Sequence, residues 1–191
     1  MSAPQLRSFR CCVFLALLLG WVPKAAFSQT SFPDELSLRR QEAALLHRKI
    51  QFAGLRVLKK DTFVEAQVSP ARLTLVHLWA VECKPCVDEL PTLQSFFAAQ
   101  QKDPRIRLLL VSETKDTAKL IGFVQARRGF FPNVELYQIL DDGLRASLQN
   151  LVQPLTLLVD ERGVVHQAFV GSLLSRRSEL VLSLDRYLSS L

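Results

Sequence analysis

Cys83-Lys84-Pro85-Cys86 decides how this chain folds, set between the apolar run Leu73-Thr74-Leu75-Val76-His77-Leu78-Trp79-Ala80 and a helix-like stretch from Cys86 to about Gln101. The apolar run predicts a strand that ends just before the first cysteine, and a helix starts where it ends. That order leaves the first sulfur at a helix N-terminus, where unpaired N–H groups and the positive dipole end favour a thiolate. Two thiols separated by two residues can also close into a small, reversible disulfide, and such a pair beside a βαβ pattern points to redox chemistry. Half of a zinc site and two unremarkable thiols are the competing readings.

Working outward, Asp34 to about Lys49 reads as an amphipathic helix with Leu38, Leu45, Leu46 and Ile50 among Arg, Glu and Gln. Gln51 to Val68 is mixed, with strand-like alternation from Thr62 to Val68, and Ser69-Pro70 breaks it. Pro91 predicts a kink in the motif helix. Ile106 to Ser112, with Leu108-Leu109-Leu110-Val111, fits a strand covered on both faces. Thr114 to Arg128 reads as a helix with Gly129 at its C′ position, Asn133 to Leu140 as a strand, and Asp141 to Asn150 as a short helix. Leu155 to Asp160 and Val164 to Val170 form a hairpin turned by Glu161-Arg162-Gly163. Ser175 to Leu191 closes the chain as an amphipathic helix. The order βαβα followed by α, β, β, α fits a parallel pair extended by an antiparallel hairpin, with helices on both faces. This is an α/β fold with a central mixed sheet, and a thioredoxin fold has that order.

The N-terminus carries a different signal. Arg7 and Arg10 precede the apolar run Cys11 to Val22, and Ala26-Phe27-Ser28 supplies small residues for cleavage before Gln29. Residues 1–28 therefore read as a signal peptide, with a retained membrane anchor as the alternative. Residues 29–59 read as an N-terminal extension with a helix, and 60–191 as the redox domain. The formal charge of +6 falls when the leader leaves, because Arg7, Arg10 and Lys24 go with it. No cluster of Lys and Arg alternates with aromatics, which excludes a nucleic-acid footprint. Of the four cysteines only Cys83 and Cys86 remain after cleavage. An exported domain with one close pair is no disulfide-stapled scaffold, so the pair is there for chemistry.

Trp79-Ala80-Val81-Glu82-Cys83-Lys84-Pro85-Cys86-Val87-Asp88-Glu89-Leu90-Pro91 resembles the signature of exported TlpA/ResA-like thiol-disulfide oxidoreductases. Gln153-Pro154-Leu155-Thr156-Leu157-Leu158-Val159-Asp160-Glu161-Arg162-Gly163 resembles the same family's cis-proline segment and the strand after it. The likeness runs over about residues 60 to 190. It implies a thioredoxin-like fold, to which the amphipathic pattern of residues 34–49 adds an extra N-terminal helix, and no cofactor beyond a redox-active Cys83–Cys86 disulfide. It also implies a periplasmic or other extracytoplasmic location and reduction of other exported proteins, apocytochrome c among them. An unidentified membrane electron donor would recharge the thiols, and the protein is expected to act as a monomer.

Each residue can be assigned chemistry. Cys83 would be the nucleophile, and Cys86 would attack the mixed disulfide and release reduced product. Lys84 would lower the pKa of Cys83 or is an ordinary solvated lysine, and Pro85 limits the backbone between the sulfurs. Glu89, three residues after Cys86 on a helix, would shuttle the proton of Cys86 if buried, and is otherwise a surface glutamate. The resemblance implies a cis Pro154 that places the backbone of Gln153 beside the sulfurs, where an extended substrate could pair with it. Trp79 would pack near the site, as a substrate contact or as a core aromatic. His77 stands where thioredoxins carry a buried acid; it would tune the thiols, or bond to a main-chain carbonyl. Glu82 replaces the tryptophan that usually precedes the first cysteine, and its charge is expected to raise the pKa of Cys83. A copper-carrying module using Cys83, Cys86 and His77 or His166 is an alternative function, as is a non-catalytic binding module on the same fold.

Overall fold

The structure is a computed structural model that describes residues 34–100, 102–127, 135–139, 142–148 and 152–190. The leader expectation for residues 1–28 and the C′ role of Gly129 lie outside the described residues. From residue 34 onward the chain forms one compact unit. Among the described residues no helix is long and apolar enough to cross a membrane.

Among the described residues the strands β1 (Leu55–Lys59), β2 (Thr62–Ala66), β3 (Leu73–Trp79), β4 (Ile106–Ser112), β5 (Glu135–Ile139), β6 (Leu155–Asp160) and β7 (Val165–Val170) form one sheet in the order β2-β1-β5-β4-β3-β6-β7. At its centre β3 (Leu73–Trp79) lies parallel to β4 (Ile106–Ser112), and β4 lies parallel to β5 (Glu135–Ile139). The parallel part is thus a trio, one strand more than the sequence pattern suggested. β6 (Leu155–Asp160) runs antiparallel to β3 and pairs with β7 (Val165–Val170) as the expected hairpin. Every residue of β3 and of β6 is buried, which explains why both read as unbroken apolar runs.

A second hairpin, β1 (Leu55–Lys59) with β2 (Thr62–Ala66), adds to the far edge by pairing β1 with β5. Only its second strand was legible. Lys60 turns the hairpin at φ 57°, a left-handed position usually marked by Gly or Asn, so the turn carried no sequence signal. Through β1, part of the segment set apart as an N-terminal extension joins the same sheet.

Helix α1 (Glu35–Leu45) starts on Asp34, whose carboxylate accepts the Ser37 N–H at 2.7 Å. It stops four residues short of the expected end. His47 turns the chain at φ 64° and donates its N–H to Val165 O, and Val165 returns a bond to Arg48 O. Helix α2 (Lys84–Gln100) runs on through Pro91. Helices α3 (Thr117–Ala126), α4 (Asp142–Leu148) and α5 (Arg177–Ser189) complete the fold. Asp116 caps α3, so that helix starts three residues later than the pattern suggested.

Side chains alternate across β3 and divide the core. Val76 and Leu78 pack with Leu45, Leu144 and Leu148 from α1 and α4. Leu73 and Leu75 pack with Leu93, Phe96 and Phe97 of α2 and Leu180 and Leu184 of α5. Trp79 joins Cys86, Leu90, Leu110 and Leu120 in a third cluster at the motif end of the sheet. His77 therefore faces α2, the helix that carries the cysteines.

A charged cluster fastens α1 to the rest. Glu42 is 6% exposed, and its carboxylate accepts the Val170 N–H at 2.9 Å and both terminal nitrogens of Arg176. Arg176 also holds Glu179, which Arg39 reaches from α1 at 2.9 Å. The two guanidinium groups hold the Glu179 carboxyl down at about 2.

Candidate active site

The site forms where β3 ends and α2 begins. Cys83 occupies the N-cap of α2: its carbonyl accepts the Val87 N–H at 3.0 Å, the first bond of the helix. Its sulfur accepts the Cys86 N–H at 3.2 Å, as a capping side chain would. Once reduced, a Cys83 thiolate would keep that donor and the helix dipole beside it, and both lower its pKa. Pro85 sits in the first turn, where its missing N–H leaves no bond unmade.

Cys83 and Cys86 are joined in a disulfide with their Cα atoms 5.2 Å apart. Their environments differ. Cys83 is half-buried and open to an incoming disulfide, whereas Cys86 is fully buried in the cluster around Trp79. Trp79, grouped above with substrate contacts, is itself 0% exposed and stacks on Phe123 with ring centroids 5.4 Å apart. It supports the motif from beneath and touches no solvent.

The charges flanking the cysteines are paired away. Lys84 Nζ lies 2.5 Å from Asp88, an exposed pair one turn apart. Glu82 reaches Lys119 at 2.8 Å, and its second oxygen accepts the Thr114 hydroxyl at 3.2 Å. The Lys119 contact leads in holding the Glu82 carboxyl below its usual range. Glu82, expected to raise the pKa of Cys83, is itself paired with Lys119, a partner 37 residues away that carried no local sequence signal.

Beneath the disulfide the buried groups are acid and imidazole. Glu89 is 0% exposed, and one of its oxygens accepts the Ser172 hydroxyl at 2.5 Å and the Leu173 N–H at 2.9 Å. Burial pushes its carboxyl above the usual range against the pull of those two donors. His77 is equally buried; its Nδ1 lies 2.9 Å from the Thr156 hydroxyl, and its ring sits 5.7 Å from that of Phe97. Desolvation lowers its pKa to about 4, so the ring is neutral at physiological pH. The hydroxyl of Thr156, on the neighbouring strand, takes the place of the main-chain carbonyl considered as its partner.

The Gln153–Pro154 peptide is cis, and the Pro154 carbonyl accepts the Gly171 N–H at 2.8 Å. The Gln153 side chain donates to the Glu113 carboxylate. The Glu113-Thr114 step at the end of β4 therefore joins both halves of the site. Glu113 N–H donates to Trp79 O at 2.8 Å, Thr114 Oγ1 accepts the Val81 N–H at 2.8 Å, and Gln138 Nε2 donates to Thr114 O at 2.7 Å.

Sequence reasoning missed Glu113, Thr114, Lys119 and Ser172. Thr114 had been absorbed into the start of a helix, and the other three carried no local signal. Thr114→Val keeps the shape but leaves the part-buried Val81 N–H without its acceptor. A loss of about 1–3 kcal/mol is expected in denaturant unfolding, with slower disulfide exchange as the loop before Cys83 loosens. Unchanged stability would show that the hydroxyl holds nothing.

His166 does not approach the cysteines. It lies 3.1 Å from Asp160 and stacks on Tyr187, and Asp160 pairs with Leu73 at the opposite end of β3 from the motif. The three-ligand copper set drawn with His166 is not assembled. Among the described residues no group of three or more His, Cys, Asp or Glu stands ready for a metal ion.

No protein-family model matches the chain. It is 29% identical over 122 residues to the thioredoxin-like protein YneN of Bacillus subtilis, covering 62% of this chain and 68% of that protein. It is 24% identical over 163 residues to sporulation thiol-disulfide oxidoreductase A of the same organism, covering 83% of this chain and 86% of that protein. Among solved structures, a candidate thiol:disulfide interchange protein DsbE from Chlorobium tepidum superposes with a TM-score of 0.59 at 16% identity, covering 75% of this chain and 99% of that one. That likeness shows the fold: mixed α/β, thioredoxin-like.

Proposed function

We infer that this chain, which is similar to a thioredoxin-like protein and a thiol-disulfide oxidoreductase of Bacillus subtilis, works as an exported reductant of protein disulfides. The observation that carries the chemistry is the asymmetry of the two sulfurs, Cys83 half-open at a helix N-cap and Cys86 buried behind it. A reduced Cys83 attacks a substrate disulfide, forming a mixed disulfide and expelling one substrate thiolate. Cys86 then gives up its proton and attacks Cys83, which breaks the mixed disulfide and releases the second substrate thiolate. Glu89, one turn along α2 and buried by the same packing, is the acceptor of that proton. The main chain at Gln153 offers the edge along which an extended substrate segment pairs.

Export is supported by Arg7, Arg10, the apolar run Cys11 to Val22 and Ala26-Phe27-Ser28. An extracytoplasmic protein of this kind would draw electrons from a membrane thiol donor and keep the cysteines of other exported proteins reduced, with apocytochrome c as one target. Equilibrating the Cys83–Cys86 couple against glutathione tests the direction. A potential of about −270 mV or lower fits a reductant, and one of about −120 mV would make the protein an oxidant instead. Fractionating cells that express the full chain tests the location; recovery with the cytoplasmic proteins would overturn export.

A further inference from the structure

Two buried polar atoms face each other under the disulfide without a hydrogen bond. His77 Nε2 and Glu89 Oε1 lie 3.6 Å apart, both side chains are 0% exposed, and neither atom has another partner. Buried polar atoms are nearly always satisfied, and a facing pair of exceptions at a reactive centre calls for an account. The remaining valences are taken: Thr156 holds His77 Nδ1, and Ser172 and the Leu173 N–H hold Glu89 Oε2. Among the described residues no Lys or Arg pairs with either group, and Cys86 stands one turn before Glu89 on α2.

We propose that His77 is a positioning residue for the resolving step, its Nε2–H closing onto Glu89 Oε1 in the dithiol form and holding that carboxylate ready to take the proton of Cys86. The proposal rests on the reductant reading above and extends it to a residue of β3. The neutral ring carries one proton, and a facing carboxylate draws that proton to Nε2, leaving Nδ1 to accept from Thr156. The disulfide form leaves the contact slightly long; catalytic hydrogen bonds commonly tighten only in the reacting state.

The proton and the electrons then balance. Cys86 Sγ–H passes its proton to Glu89, and its freed electron pair forms the bond to Cys83 Sγ. The bond from Cys83 to the substrate sulfur breaks, and its pair leaves with the substrate thiolate. The cysteine pair is oxidised by two electrons and the substrate disulfide reduced by two. Without the imidazole donor, Glu89 Oε1 would be an unsupported charge in an apolar site. Glu89 would then stay protonated to higher pH and be unable to accept.

The test uses the reduced protein and dithiobis(nitrobenzoate), a small disulfide whose two thiolates report the two steps separately. Cys83 attack releases the first, and Cys86 resolution the second. His77→Leu is expected to shift the pH midpoint of the second phase upward by about one unit or more while the first phase keeps its profile. His77→Asn, whose amide can still donate, is expected to restore most of that shift. A second-phase profile unmoved by His77→Leu overturns the proposal, as does a general slowing of both phases with no change of midpoint. Should His77→Leu fail to fold, ring-nitrogen NMR of the unsubstituted dithiol decides. An Nε2–H tautomer beside an ionised Glu89 supports the proposal, and an Nδ1–H tautomer there overturns it. Failure of the unsubstituted protein to release either thiolate would instead sink the reductant reading itself.

Discussion

Cys86→Ser is expected to stop the reaction halfway, leaving the protein covalently joined to its substrate, whereas Cys83→Ser joins to nothing. The difference follows from burial. Cys83 is half-open and Cys86 is 0% exposed, so only the first sulfur can meet a disulfide from outside. With Cys83 alone, attack proceeds and the mixed disulfide persists, because the buried serine cannot displace it. With Cys86 alone, no nucleophile is presented, and turnover should fall by about a thousandfold or more, to background. Non-reducing electrophoresis and mass spectrometry of each variant with an oxidised exported protein would show the adduct directly. Equal trapping by both variants would mean that Cys86 is reachable and that the division of labour is wrong. Trapping by neither would remove the exchange mechanism.

The largest structural effect is expected far from the sulfurs. Glu42→Ala removes the carboxylate that satisfies the Val170 N–H and both terminal nitrogens of Arg176. Arg176 is then left 17% exposed with Glu179 as its remaining carboxylate partner. Breaking one side of a buried pair costs about 3–5 kcal/mol, because the surviving charge and donor stay desolvated. For a domain of this size that is a fall in Tm of roughly 6–20 °C. Glu42→Gln keeps an acceptor for Val170 and should lose less. The outcome matters for function because Val170 leads into Gly171 and Ser172, and Ser172 is a ligand of Glu89. A loosened α1 would therefore reach the buried acid. A drop of under 1 kcal/mol would show that the Glu42 carboxylate does not fasten α1.

The thioredoxin-like arrangement was legible because its carriers are local. Leu73–Trp79 and Leu155–Asp160 are strands buried on both faces, and such strands leave an apolar run that no solvent-facing residue interrupts. The hairpin at Glu161-Arg162-Gly163 announces itself through Gly163, which takes φ 82°. By contrast β1 escaped notice. Its five residues pair with a strand some eighty positions later, and its turn is made by a lysine in a left-handed conformation. The end of α1 was misplaced for a similar reason: His47 and Arg48 leave the helix to bond with β7, a competitor invisible in their own neighbourhood.

The covalent frame of this protein was written into its sequence: which two sulfurs are joined, and that the first of them caps a helix. A spacing of three residues and a strand-to-helix junction impose both, whatever the rest of the chain does. The tertiary structure alone decided the charge state around those atoms. It paired Glu82 with Lys119 and enclosed His77 opposite Glu89. Electrostatic energy depends on distance and on the exclusion of water, and neither is a property of neighbours along the chain.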